Sequence, residues 1–380
     1  SNENTLFYRE KQKVIVEFTA AEISSDFGLF LSEKIEKEFH TIRGFCSNIT
    51  DKRHKSYTKH TVYEMVKQRV YLLNQGYEDC NDEKYLRNDP ALNVITGENI
   101  SSQPTLSRFE NSINHKDIYA LSEHFVKKYI KSISKYKRKI IIDVDSSDIE
   151  THGKQQQSMF NGFYDKTMYH PLMFHDGETG QLILAALRPG NVHTSRWFTA
   201  ILRRIVERIQ KARPELKIMI RADSGFSSAE FYIMADKYGL QYCIGIGGNS
   251  VLESMIAGEL DCISRWFYEY GEDHQYFTEA MEYQAGSWER PRNVYGVIES
   301  KNNRMNKRFF CSNFYGKTAR QQYLDFYVKR CDRSENRIKE LKTMCYSTRL
   351  SCREFNANYF RMFLSALSYE MFRLIKLKIM

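Results

Sequence analysis

Lys139-Ile140-Ile141-Ile142-Asp143-Val144-Asp145-Ser146-Ser147 is the stretch that decides how this 380-residue chain is read. Three β-branched residues followed by carboxylates at i and i+2 read as a buried strand whose C-terminal end turns polar. Residues i and i+2 of a strand share a face, so Asp143 and Asp145 present their carboxylates side by side. Two like charges at the end of a buried strand are costly unless a cation neutralises them. An edge strand ending in solvated Asp residues fits the same letters equally well. What tips the balance lies downstream: Leu216-Lys217-Ile218-Met219-Ile220-Arg221-Ala222-Asp223-Ser224-Gly225 repeats the design, with Asp223 where a buried strand gives way to a loop.

Working outward, Phe163–His175 reads as a strand, and Asp176-Gly177-Glu178-Thr179-Gly180 as a hairpin turn with Leu182–Leu187 returning from it. A helix follows from Ser195 to about Arg213, then the Asp223 strand, a helix from Ser228 to Lys237, and a strand at Gln241–Ile246. Three hairpin-compatible strands and then helix–strand–helix–strand is the order expected of a ribonuclease-H-like α/β core. Upstream the chain is mostly helical, with a short strand at Val14–Phe18 and helices expected at Phe27–Phe39, Val62–Gln75 and Asp117–Ser134. Downstream, about Val251 to Arg308 reads as a β-rich insertion, and Arg308–Asn313 as a return strand. Thr318–Met344 reads as one long polar helix and Asn356–Ile379 as a strongly apolar one. The expected organisation is a helical region over 1–135, the core over 136–250, the insertion over 251–308 and the rest of the core over 309–380.

Composition narrows the function classes. The chain is 42% hydrophobic and 27% charged, enough for two or more cores. No apolar run approaches the roughly 20 residues of a membrane span, and Ser1-Asn2-Glu3-Asn4 has no secretory character. The 8 Cys are scattered without a CxxC pair, which points to reduced thiols in the cytoplasm rather than disulfides or zinc. Net charge is +9. From Lys317 to the end fourteen Lys/Arg face six Asp/Glu, so +8 of it lies there. A polyanion such as nucleic acid would lie along that segment of the chain. Trp197, Trp266 and Trp288 read as core packing or as base-stacking residues.

A third carboxylate is available on the polar helix, where Glu335 shares a face with Lys339 and Lys342. A surface salt bridge to Lys339 explains Glu335 as well. Three carboxylates from two strands and a helix can hold two Mg²⁺ ions about 3.5–4 Å apart, one activating a nucleophile and one stabilising the leaving oxygen. Hard oxygen ligands favour Mg²⁺ or Mn²⁺ over zinc.

The set Asp145-Ser-Ser…Gly153, Arg221-Ala-Asp223-Ser-Gly225-Phe226 and Tyr327…Arg330…Glu335-Asn-Arg-Ile-Lys339-Glu-Leu-Lys342 resembles the DDE transposases of bacterial insertion sequences. The likeness is to the subgroup with a Tyr-Arg-Glu-Lys signature, and within it to the family numbered 1380, distant kin of the piggyBac transposases. Ser24–Leu29, Gly76–Asp82, Leu86–Ala91, Gln103–Asn111, Phe160-Asn161-Gly162 and Arg188-Pro189-Gly190-Asn191-Val192-His193 extend it over about residues 14–375. The resemblance implies a ribonuclease-H-like core with Asp145, Asp223 and Glu335 as metal-binding catalytic carboxylates, and Asp143 as an alternate. It implies Mg²⁺ as cofactor, with Mn²⁺ able to substitute, and Tyr327, Arg330 and Lys342 on DNA phosphates, with Lys339 beside them. It implies, too, a nucleoid-associated protein that cleaves at terminal inverted repeats and joins the 3′-OH to target DNA as a homodimer. A metal-dependent nuclease without strand transfer and a transposase-derived DNA-binding protein are the alternatives. Two departures stand out. Four residues separate Arg330 from Glu335 where the pattern has three, so Arg333 is an alternative to Arg330, and Cys331 stands where Gly is usual.

Overall fold

In the computed structural model the residues described are 5–9, 12–15, 24–87, 89–97, 100–271, 273–301 and 304–379. A short hairpin, β1 (Thr5–Arg9) and β2 (Gln12–Ile15), precedes the helices. Val16, Glu17 and Phe18, the rest of the strand expected there, lie outside the described residues. The helical region comprises α1 (Gly28–Phe39), α2 (Thr41–Cys46), α3 (Val62–Asn74), α4 (Glu83–Leu86), α5 (Pro90–Thr96), α6 (Gln103–Ser112) and α7 (His115–Ser132). Capping boxes at Thr61 and Asn114 start α3 and α7, each side chain accepting from the backbone three residues on.

The α/β part follows as β3 (Lys139–Ser146), β4 (Ile149–Glu150), β5 (Met159–Asn161), β6 (Lys166–Tyr169), β7 (Leu172–Asp176), β8 (Leu182–Ala186), α8 (Phe198–Ala212), β9 (Lys217–Ala222), α9 (Ala229–Lys237) and β10 (Gln241–Ile246). Next come α10 (Ser250–Met255), α11 (Ala257–Tyr270), β11 (His274–Phe277), β12 (Met281–Tyr283), β13 (Arg292–Lys301) and β14 (Arg304–Ser312). Two helices, α12 (Lys329–Thr343) and α13 (Phe355–Ile379), complete the order. Among the described residues nine strands form one mixed sheet in the order β11-β13-β14-β10-β9-β3-β7-β8, with β12 beside β13. Only β3–β9 and β9–β10 are parallel.

Three expectations are corrected. Phe163–His175 is two strands and a turn: β6 pairs with β4 and β5 in a separate three-stranded sheet, and β7 joins the main one. The β-rich reading of residues 251–308 fails for its first third, where α10 and α11 form; its strands extend the main sheet through the β10–β14 pair. The long polar helix is interrupted, because Gln321–Tyr327 is a π turn with Val328 N–H reaching back five residues to the Tyr323 carbonyl at 2.8 Å.

Strand alternation divides the core. Ile140, Ile142 and Val144 of β3 face the main core under the helices, whereas Ile141 joins a smaller cluster with Met219, Phe310, Tyr323 and Phe326. Asp143 and Asp145 are therefore on the smaller face, the one covered by the π turn and α12. The last helix, α13, packs against α1, α3 and α6 as well as β8. There Glu110 of α6, fully buried, accepts from Arg69 at 2.8 Å and from Arg361 at 2.6 Å. Removing one partner from such a triad costs about 3–5 kcal/mol, so α13 is locked to α3 and α6. Among the described residues no helix is long and apolar enough to cross a membrane.

Candidate active site

The parallel register of β3 and β9 builds the site. Asp143 lies opposite Arg221, and their side chains form a bidentate pair at 2.6 and 2.9 Å. Arg337 of α12 adds a third contact to Asp143 at 3.2 Å. With zero exposure and two guanidinium partners, Asp143 is fully neutralised inside the protein. Two residues further along each strand, the same register brings Asp145 beside Asp223, just past the end of β9.

This second pair is different in kind. Asp145 accepts from its neighbour Ser146 N–H at 2.9 Å and from Arg330 at 3.1 Å. Asp223 accepts from Gly225 N–H at 2.8 Å. Burial pushes the Asp145 carboxyl up to about 6; Arg330 opposes the rise and the nearby charge of Asp223 adds to it. Burial also raises Asp223, again against Arg330. One guanidinium thus serves two carboxylates, which leaves the pair electron-rich and short of positive charge. Hard carboxylate oxygens in that state suit Mg²⁺, which commonly takes one or two carboxylates and completes its shell with water and phosphate oxygens.

Helix α12 lays a stripe at i, i+4, i+7 and i+11 against this face: Arg330 on Asp145, the buried Ser334 beside it, Arg337 on Asp143, and the buried Leu341. Glu335 is the next residue round and is exposed. Among the described residues no three His, Cys, Asp or Glu side chains converge as a metal cluster. The structure therefore brings Asp145 and Asp223 together and leaves Glu335 outside. Arg330, whose place in the site its spacing put in doubt, faces Asp145. The side chains of Cys331 and Arg333 lie outside the described residues.

Tyr327 reaches the site through a glycine. A Cβ on Gly245 of β10 would lie 2.6 Å from the Tyr327 hydroxyl and 2.9 Å from Ser224 N, so only a bare backbone admits the ring beside the Asp223 loop. Phe310 and Tyr323 stack on that ring, with centroids 6.1 and 5.6 Å away. Lys342 binds Asp148 at 3.0 Å, and Lys166 binds its other oxygen at 2.7 Å. Although burial opposes it, these two lysines hold the Asp148 carboxyl down at about 2. Lys339 is exposed. Sequence reasoning missed Asp148, Ser334 and Arg337. For Arg221 a signal existed, since it stands two residues before Asp223 just as Asp143 stands two before Asp145.

With this geometry in view, comparison with known proteins is informative. A family model described as transposase DDE domain group 1 matches residues 8–380. The chain belongs to this DDE transposase family. Among curated proteins none matches the chain. The solved structures similar to it include two transposase complexes. A piggyBac transposase synaptic complex with hairpin DNA, determined by cryo-electron microscopy, is 14% identical with a TM-score of 0.49, covering 92% of this chain and 74% of that one. A Mos1 transposase paired-end complex with the left transposon end is 12% identical with a TM-score of 0.20, covering 62% and 78%.

Proposed function

We propose that this DDE transposase binds the terminal inverted repeats of a mobile element, cleaves DNA at the element ends and joins the freed 3′-OH to target DNA. The observation that carries this reading is the juxtaposition of Asp145 and Asp223 at the carboxyl ends of adjacent parallel strands, where ligand sites of open α/β sheets form. The order β8-β7-β3-β9-β10, with only the last three parallel, supports a ribonuclease-H-like core. Asp145 and Asp223 hold the divalent ions, Mg²⁺ or Mn²⁺, and Glu335 is the third ligand. When bound, the ions supply charge stabilisation at the attacked phosphate and at the attacking and leaving oxygens. Arg330, Tyr327, Lys339 and Lys342 line the approach as contacts for DNA phosphates, with Arg333 the alternative to Arg330. Acting on two ends calls for a homodimer in the synaptic complex.

Glu335 reaches the pair by a change of helical phase. One residue of an α-helix is about 100° of rotation, so a one-residue turn of α12 carries Glu335 into the place Ser334 holds. A π turn formed in the four-residue interval between Arg330 and Glu335, with Arg330 held on Asp145, puts both side chains on one face.

The test is strand cleavage of labelled end DNA in Mg²⁺ by the parent, Asp223→Ala and Glu335→Gln. Both variants are expected to fall to background; undiminished cleavage by Asp223→Ala overturns the assignment. The exposure of Glu335 favours one other reading, a transposase-derived DNA-binding protein, which predicts end binding with no cleavage by the parent.

A further inference from the structure

The stretch Arg188-Pro189-Gly190-Asn191-Val192-His193 has no part in the chemistry above, yet much of the fold is arranged around it. It forms the loop from β8 to α8. Arg188 is fully buried and meets no carboxylate among the described residues. Burial pushes its guanidinium down to about 10, opposed only by Tyr164. A buried cation with no acid beside it is costly unless its donors are taken up. The loop itself takes them up. Nη1 donates to the carbonyls of His193, Thr194 and Arg196 at 3.3, 2.9 and 2.6 Å, and Nε to that of His170 at 2.7 Å. Asn161 donates to the Gly190 carbonyl at 2.7 Å. A Cβ on Gly190 would sit 1.9 Å from the Met168 carbonyl oxygen, so the backbone is seated directly on β6. Trp197 ends the loop with a left-handed φ of 62°.

This scaffold presents His193, which is exposed and lines a cavity of about 530 Å³ together with Asp223, Ser224 and Gly225. Thr194 packs on the Asp223 loop, where a Cβ on Gly225 would lie 2.9 Å from its methyl group. The orientation of the His193 ring is set by Ser195. The Ser195 N–H, which can only donate, lies 3.2 Å from Nδ1, and the Ser195 hydroxyl lies 2.9 Å from the same atom. Nδ1 is therefore the acceptor and the proton is on Nε2. That N–H has no hydrogen-bond partner among the described residues.

We infer that His193 donates its Nε2–H to an oxygen of the DNA phosphate next to the one being cut. The cut phosphate belongs on the ions held by Asp145 and Asp223, so the neighbouring phosphate of that strand falls in the cavity beside them. Phosphate oxygens can only accept, and contacts to them fix the register of a strand. His193 is thus a positioning residue across the carboxylate pair from α12. This rests on the transposase reading above.

The experiment uses the full chain with duplexes bearing the inverted repeats that flank its coding sequence. One set is unmodified, and in another each phosphate flanking the cleaved bond is in turn a neutral methylphosphonate. Cleavage rate and affinity are both measured. His193→Ala is expected to melt with the parent and to cleave the unmodified duplex about 10- to 150-fold more slowly, the worth of one hydrogen bond to a charged group. His193→Gln, whose amide N–H can stand where Nε2 stood, retains most of the rate, and His193→Asn does not. At one flanking position the methylphosphonate slows the parent and leaves His193→Ala no slower than before. Cleavage by His193→Ala at the parent rate overturns the inference alone, as do losses from variant and methylphosphonate that multiply at every position. If the parent binds without cleaving, strand transfer is lost from the reading, and the same comparison in affinity decides the contact. A parent that neither binds nor cleaves overturns the transposase reading and this inference with it.

Discussion

The two acids that open the sequence argument are two residues apart, and the structure gives them opposite energetics. Asp143→Asn leaves Arg221 and Arg337 facing a neutral amide in a fully buried site. Breaking a buried pair from one side costs about 3–5 kcal/mol, a large part of the 5–15 kcal/mol by which domains are commonly stable. Asp145→Asn removes a carboxylate whose proton affinity is raised from 3.8 to about 6. For an acid, a raised folded value means that proton uptake favours the folded state. The stabilisation is complete below 3.8 and lost as pH rises through about 6. At pH 7.5 the charged form is a burden on the order of 3 kcal/mol, at about 1.4 kcal/mol per unit, with the opposing Arg330 contact already included. Urea unfolding at pH 7.5 with a chelator should therefore show Asp143→Asn strongly destabilised and Asp145→Asn neutral or stabilised. The reasoning is refuted if Asp143→Asn unfolds within about 1 kcal/mol of the parent, the range of an ordinary substitution. It is equally refuted if Asp145→Asn loses as much as Asp143→Asn.

Other outcomes follow from neighbouring features. Divalent ion binding should stabilise the parent by about 2.7 kcal/mol at a hundredfold excess over Kd; thermal melts with Mg²⁺ should show this shift, and Asp145→Asn and Asp223→Asn should lack it. His175 is buried with both ring nitrogens unpartnered among the described residues, and burial, reinforced by Arg337, pushes it down to about 3. A depressed histidine gives stability present above 6.5 and lost as pH falls, by about 1.4 kcal/mol per unit. Urea midpoints between pH 6.5 and 5 should slope accordingly, more steeply in Asp145→Asn and less in His175→Leu. Gly190→Ala should cost roughly 2–4 kcal/mol, because backbone carbonyls, not side chains, block the methyl; a melting curve checks it.

Strand-level patterns were legible where one physical cause acted. The β-branched runs before Asp145 and Asp223 are the buried strands β3 and β9, and parallel register alone then places the acids together. Helix starts with capping residues, such as Thr61 and Asn114, were close to their observed positions or a residue or two off. What failed to show depends on contacts made across the chain. Trp266, Phe267, Tyr268 and Tyr270, aromatic residues common in strands, masked the helical spacing of α11. The turn at Gly162 was hidden because Phe160 and Phe163 look like strand residues, and only their exposure reveals a displayed surface. The phase of α12 was the hardest. Counting residues cannot say whether Arg330 or Glu335 faces the sheet, since the π turn upstream resets the rotation.

The triad of Arg69, Glu110 and Arg361 sets a clock on synthesis. Glu110 and Arg361 are 251 residues apart, which at 5–20 residues per second is roughly 10–50 s of translation. Throughout that interval the first helices have emerged without the helix that fills their centre, and β3 and β9 are already made. Because α13 packs on both the helical region and β8, a chain halted before residue 361 lacks the piece common to both halves. Any activity that needs both halves joined is therefore expected only once α13 has been made.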